Sequence, residues 1–437
     1  MRPRLRAIDR DILRLAAPSL GALVAEPLFV LTDTAMVGHL GADALAGLGV
    51  ASTVLQTAIG LLVFLAYATT PAVARRLGAG DRAGAHAAGV DGLWLALGIG
   101  VVLLGVLLPT YPAIVGAFGA AAPVEAAALE YLTIAWWGVP GMLLVLAATG
   151  VLRGLHDART PLVVAAWGFC ANIALNAILI YGLGLGIAGS AIGTLIAQWA
   201  MAAVLVTVVV RGARAEGAAL RPGPAGLRAA MAAGSWLLLR TVSLRIALVA
   251  TVLVATGLGT VELAATHVWF AVYSLLALAL DALAIAGQAL VGHGLGASDV
   301  ERVHRITRRL VRWGVLVGTI LAVVVAASAP LVPILVTSDE RVRDALPLVL
   351  LILAIGLPLA GLVFVLDGVL IGAGDGRYLA ATGILNLIVY LVLLVLAAGS
   401  GLPALLASFT FGYLGARAVT LGARARGDRW IVTGAGS

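Results

Sequence analysis

Residues 45–81 of this chain recur, without a gap, at residues 263–299. LAGLGVASTVLQTAIGLLVFLAYATTPAVARRLGAGD overlies LAATHVWFAVYSLLALALDALAIAGQALVGHGLGASD, and both copies close on a short polar turn, LGAGD (Leu77–Asp81) and LGASD (Leu295–Asp299). The same offset of 218 carries GVPGMLLVLAATGVLRGLHDAR (Gly138–Arg159) onto GLPLAGLVFVLDGVLIGAGDGR (Gly356–Arg377). A chain written twice over such a length is two copies of one unit. The apolar runs around the repeat say which kind. Runs of about 20 apolar residues, the length that crosses a bilayer core, fall near 12–37, 45–70, 90–109, 124–150, 161–181, 187–210, 234–257, 263–288, 310–329, 345–371, 378–397 and 402–422. They are too long and too little alternating for barrel strands. Hydrophobic residues make up 62% of the chain and charged residues 11%. The expected fold class is an all-α polytopic membrane protein, twelve transmembrane helices in two six-helix lobes.

The net charge of +7 is a topology signal, not a nucleic-acid footprint. Every basic residue is arginine, and the arginines gather at the N-terminus (Arg2 to Arg14), at Arg75, Arg76 and Arg82, at Arg153 and Arg159, between Arg211 and Arg228, between Arg302 and Arg312, at Arg377, and from Arg417 to Arg429. With twelve spans and a cytoplasmic N-terminus all of these fall on the cytoplasmic side, and the outer loops keep only Arg341 and Arg343. A cell-membrane location with both termini cytoplasmic is expected, with membrane lipids as contacts. Six spans per half is an even number, so both halves enter from the same side as parallel repeats about an axis along the membrane normal. The expected division is residues 1–210 as the N-lobe, 211–232 as a polar cytoplasmic linker and 233–437 as the C-lobe. The first run carries Glu26 and Asp33 and is too long for a signal-peptide core, so it is expected to stay as a helix. The lone Cys170 excludes an internal disulfide.

The residues that carry information are the polar ones inside the runs, because a charge at membrane depth costs about 2.5–3.5 kcal/mol or more. Glu26 and Asp33 lie two helical turns apart on one face of span 1, and Pro27 is expected to kink or loosen that span. Span 5 offers Asn172 and Asn176, four residues apart on one face. Span 6 offers Thr194 and Gln198, and span 2 offers Gln56. Carboxylates among amide and hydroxyl oxygens suit a proton or a hard monovalent cation. An interhelical hydrogen-bond clamp would use the same residues. The carboxylate pair is not duplicated, since Asp33 falls on Thr251 at the repeat offset. The second half instead has Asp281, Asp367, Arg240 and Arg245. Arg240 is close enough to a helix end to snorkel, and Arg245 is the stronger candidate for a bridge to Asp281 or Asp367. Together with Gln56, Gln198 and Tyr273 these four make a candidate lining for a substrate cavity.

Several segments carry a resemblance: LTDTAMVGHLG (Leu31–Gly41), GVLRGLHDARTPL (Gly150–Leu162), NIALNAILIYGLGLGIAGSAIGT (Asn172–Thr194), ALDALAIAGQALVGHGLGASD (Ala279–Asp299) and DGVLIGAGDGR (Asp367–Arg377). Over residues 10–420 the chain resembles the multidrug and toxic compound extrusion (MATE) transporters, and among them the DinF-type branch. The resemblance implies a two-lobed antiporter that exchanges inward H⁺ or Na⁺ for the export of organic, cationic or amphipathic compounds. It implies a coupling role for Asp33 and a place beside it for Asn172. Asn176 stands where members of the family have Asp, which leaves Glu26 as the second carboxylate. Should Na⁺ be the coupling ion, Asp33, Asn172 and Thr194 would bind it. The acidic span-7 residue of other branches is missing.

Other classes fit less well. A P-loop cannot be written without lysine, HExxH is absent, and His267 has no adjacent nucleophile, so neither ATP-driven transport nor an enzyme is expected. No cofactor is implied beyond the coupling ion. A lipid-linked oligosaccharide or peptidoglycan-precursor flippase is the alternative, against which stand twelve spans and only two intramembrane arginines. The expected partners are small organic substrates and lipids, with the protein acting as a monomer.

Overall fold

The structure, a computed structural model, describes residues 2–435, with side chains from residue 7 onward. Among the described residues all regular structure is helical. Twelve helical segments are long and apolar enough to cross a membrane: span 1 (Ala7–Gly38), span 2 (Ala42–Gly78), span 3 (Arg82–Gly116), span 4 (Ala122–Gly154), span 5 (Arg159–Gly182), span 6 (Gly186–Ala215), span 7 (Pro224–Leu258), span 8 (Thr260–Gly296), span 9 (Val300–Ser328), span 10 (Glu340–Gly372), span 11 (Gly376–Ala397) and span 12 (Leu402–Arg426). Most outrun the apolar stretches at their arginine-bearing ends, because arginine is a good helix former and needs no apolar surroundings to continue a helix. Span 7 begins with Pro224, whose missing N–H costs nothing in a first turn.

Four spans depart from regular α-helix. Span 2 breaks at Leu62 and Val63, and span 4 tightens to a 3₁₀ turn at Trp136–Gly138 just before Pro140. Span 5 ends in a π-helix, Ala177–Gly182, and span 12 contains another, Ser408–Tyr413. Span 1 is one continuous helix that carries Pro27 in its interior. The proline removes one hydrogen bond, to the Leu23 carbonyl, and the bonds on either side keep the helix continuous.

The chain forms two compact units. One is Ala17–Gly234; the other runs from Ser235 onward and also takes the start of the chain through Ala16. The repeat offset is visible inside each unit as repeated packing. A side chain on Gly150 would meet the Ala66 carbonyl at 2.7 Å, and one on Gly368 would meet the Ala284 carbonyl at 2.4 Å. Gly154 stands in the same way on the Thr70 carbonyl and Gly372 on that of Gln288, each at 2.7 Å. Every residue in the second set lies 218 positions after its partner in the first. Small residues here let helix backbones touch, the usual basis of helix packing in membranes. The polar turns repeat as well. Asp81 accepts from the Gly84 N–H at 2.7 Å and Asp299 from the Arg302 N–H at 2.9 Å, so each caps the following helix. Before them, Gly80 (φ 81°) and Ser298 (φ 57°) take the left-handed conformation.

The cut points between units, after Ala16 and after Gly234, are also 218 residues apart. Each unit therefore holds the leading turns of the other half's first span. In the second unit, Asp9 receives both arms of Arg309 (Nε 2.5 Å, Nη2 2.7 Å) and the Trp313 indole N–H at 2.9 Å, above buried Ile8 and Ile12. In the first, Asp91 accepts from the Gly223 N–H at 2.9 Å, and Trp94 donates to the Leu220 carbonyl at 3.0 Å. Arg309 and Asp91 are repeat equivalents of opposite charge.

Candidate functional site

Within the first unit, one buried carboxylate organises a polar network. Asp33 is 5% exposed, and its Oδ1 accepts hydrogen bonds from Asn176 Nδ2 at 2.8 Å and Ser190 Oγ at 2.5 Å. Asn176 and Asn172, one turn apart on span 5, exchange longer contacts of 3.3 and 3.5 Å, and Asn172 Nδ2 donates to Thr194 Oγ1 at 3.2 Å. Ser190 and Thr194 are likewise one turn apart, on span 6. Tyr131, buried on span 4, lies with its hydroxyl against both of them. Span 6 gets close enough because Gly189 and Gly193 stand on the side facing span 5. A methyl on Gly193 would fall 2.1 Å from Asn176 Oδ1, and one on Gly189 would fall 2.9 Å from the Leu179 backbone. The result is a single carboxylate with two amides and three hydroxyls, withdrawn from water by four spans.

The structure brings Asp33, Asn172, Asn176 and Thr194 together. It does not bring Glu26 to them. Glu26 is exposed, and seven residues of helix put it about 10 Å along the axis from Asp33, beyond side-chain reach. Gln56 is exposed, and Gln198 is half-buried with its amide oxygen against Gly138. Ser190 and Tyr131 went unrecognised in the sequence. The spacing of Gly189–Ser190 and Gly193–Thr194, two small-plus-hydroxyl pairs one turn apart, was the available signal.

The second unit is chemically different. At the repeat position of Asp33, Thr251 shares a 2.6 Å hydrogen bond with Tyr390, the repeat equivalent of Asn172. The same two spans are joined, without a charge. Its ionic centre lies elsewhere: Arg240 of span 7 grips both carboxylate oxygens of Asp367 on span 10. Arg417 of span 12 reaches Asp367 Oδ1 at 3.2 Å. This corrects the expectation for span 7. Arg240 turns inward and forms the bridge, whereas Arg245 is exposed, because five residues of helix rotate the two onto different faces. Asp281 is half-buried on span 8. Tyr273 stacks on Trp269 at 5.5 Å and meets the edge of Phe409 at 5.9 Å, part of an aromatic core that also takes in Tyr390 and Tyr413. His267 is exposed.

The chain matches the MatE family model over residues 18–178 and again over 239–401, one match in each half. It is 29% identical over 375 residues to DNA damage-inducible protein F of Escherichia coli (strain K12), covering 84% of this chain and 82% of that protein. To Multidrug resistance protein MdtK of Yersinia pseudotuberculosis serotype O:1b it is 27% identical over 330 residues, covering 72% of this chain and 71% of that protein. Among solved structures, the Vibrio cholerae MATE transporter VcmN in the bent form has the same fold, with a TM-score of 0.89 at 22% identity, covering 97% of this chain and 98% of that one.

Proposed function

From the premise that this chain belongs to the MatE family, and is therefore a multi-pass membrane transporter and not an enzyme, we propose that it couples entry of a monovalent cation to export of organic, cationic or amphipathic compounds. The observation that carries this reading is the Asp33 network. Both groups nearest the carboxylate, Asn176 Nδ2 and Ser190 Oγ, donate to it, as suits its charged form. A proton arriving on Asp33 cancels that charge and converts an acceptor into a donor. The bond from Asn176 then weakens, because it no longer meets a charged acceptor, and the shift passes to Asn172 and Thr194 through the contacts they share. Span 1 lacks one backbone hydrogen bond at Pro27, which lowers the cost of bending it there. Charged Asp33 favours a cationic substrate, protonated Asp33 favours its release, and exchange follows from that reciprocity.

The donor set supports H⁺ over Na⁺ as the coupling ion, since sodium requires oxygen lone pairs turned inward and Asn176 faces the carboxylate with its amide nitrogen, which has none to offer. Asp33, Asn172 and Thr194 supply the oxygens should sodium take that place. The arginine distribution supports a plasma-membrane protein with both termini cytoplasmic. The two units complete a functional monomer that needs no cofactor, with small organic molecules as substrates.

Proteoliposomes carrying separately imposed pH and Na⁺ gradients test the proposal. Asp33→Asn keeps the shape and the insertion of the protein and removes the titrating group. Ion-driven efflux of a cationic dye should fall at least about tenfold, with folding checked by size-exclusion and thermal melt. Full gradient-driven export by a folded Asp33→Asn protein would sink the mechanism.

A further inference from the structure

Five arginines lie between Arg302 and Arg312 at the start of span 9, and the helix sorts them by face. Three are answered by acids. Arg309 grips Asp9, Arg302 lies 3.5 Å from Asp11, and Arg305 pairs with Glu301 one turn before it. Asp299 is spent on the helix cap, and Asp428 faces His304 at 3.6 Å. Arg308 and Arg312 are exposed, and among the described residues no carboxylate reaches either of them. Arg308 makes one long contact, from Nε to the His304 carbonyl at 3.4 Å, which leaves its terminal nitrogens to the outside. Four residues apart, the two guanidiniums share a face and repel each other. The same face continues as Val315, Leu316, Thr319 and Val323, all exposed. Thr319 turns its hydroxyl onto the Val315 carbonyl at 2.8 Å, so that surface stays apolar. The positions 218 residues before the two arginines hold Val90 and Trp94, so the pair belongs to this half alone.

We propose that Arg308 and Arg312 hold the phosphate of one anionic phospholipid, with its acyl chains lying along Val315, Leu316 and Val323. The order along the helix is the order within such a lipid, charge first and hydrocarbon after it. Three to four residues of helix, about 4.5–6 Å, separate Arg312 from Val315 and Leu316. Arginine side chains are long enough to place their charge at headgroup level while the stem lies on apolar surface. Two planar forks around one phosphate replace a like-charge repulsion with charge-assisted hydrogen bonds. A free phosphate would use the arginines and leave the apolar face without purpose. Span 1 supplies the contrast. Arg10 and Arg14 are also exposed and one turn apart, but Ala17 and Gly21 follow them on that face, too small to give an acyl chain a surface.

The test is lipid binding, and its outcome does not depend on the Asp33 mechanism. The purified protein in neutral detergent is titrated with dioleoyl phosphatidylglycerol and, separately, with dioleoyl phosphatidylcholine, and bound lipids are counted by native mass spectrometry. The first phosphatidylglycerol should bind at least about tenfold more tightly than phosphatidylcholine. Arg308→Gln combined with Arg312→Gln, which keeps good helix formers on an exposed face, should remove that preference. Arg308→Lys combined with Arg312→Lys keeps the charges without the forks and should retain part of it. Arg10→Gln combined with Arg14→Gln should leave the first lipid in place. Glycerol 3-phosphate, a headgroup without chains, should not displace it. Equal affinity for the two lipids overturns the proposal. So do equal losses in the two glutamine variants, the mark of diffuse attraction to a basic surface, and displacement by glycerol 3-phosphate, the mark of a site for free phosphate.

Discussion

Asp33 owes its setting to residues that have no chemistry of their own. Gly193 leaves just enough room for Asn176 to face the carboxylate, since an added methyl would fall 2.1 Å from Asn176 Oδ1. Gly193→Ala should therefore disable ion-driven efflux in proteoliposomes by displacing Asn176, although every titratable group remains. Gly49→Ala, at a helical glycine with open space around it, should leave efflux unchanged. Equal activity of the two variants would show that Asn176 is not positioned by contact with span 6. At this scale the sequence was partly legible. The spacing of Asn172 and Asn176, and of Asp33 within an apolar run, marks them directly. Ser190 and Tyr131 could not be told from other hydroxyls, because which of them faces Asp33 depends on how spans 4 and 6 rotate. Glu26 shares a face with Asp33 by periodicity, yet helical rise alone carries it out of reach. Arg417, counted among the cytoplasmic arginines, proves to be half-buried and paired with Asp367.

The helical turns are where the repeat is most literal. Asp81 and Asp299 cap spans 3 and 9 through backbone N–H groups three residues on, at 2.7 and 2.9 Å. Asp299→Ala should cost about 1 kcal/mol, the usual value of a helix cap, and appear as a lower melting temperature and reduced expression. The profile of exported compounds should stay as it was. A variant of normal stability with a changed profile would give this turn a direct part in substrate choice. Caps and turns of this kind depend on four or five consecutive residues, so they can be read from sequence. The 3₁₀ turn in span 4 and the π-helices ending span 5 and interrupting span 12 were not foreseen. They depend on how each helix accommodates its neighbours, which no local pattern records.

Across the whole molecule, the leading turns of span 1 belong with the second unit and those of span 7 with the first. The Asp9–Arg309 pair, with Trp313 on the same carboxylate, fastens the first of these segments. It is bidentate and partly buried, with side chains 20% and 28% exposed, so it should be worth more than an open surface pair. A double-mutant cycle with Asp9→Asn and Arg309→Gln, read by thermal melts, should return a coupling of about 1 kcal/mol. Additive effects would mean that apolar packing of Ile8 and Ile12 holds the segment alone. The sequence by itself determined the twelve spans, the two copies and their register, because apolar length and internal repetition are written along the chain. It also singled out Asp33, since a carboxylate inside an apolar run stands out wherever the run folds. Only the tertiary structure decided which unit holds each leading segment, which of Arg240 and Arg245 meets Asp367, and that Arg417 joins them. Those outcomes rest on helix rotation and on contacts between residues far apart in the chain, 127 positions for Arg240 and Asp367 and 300 for Asp9 and Arg309, where many small packing energies compete and no single residue carries the answer.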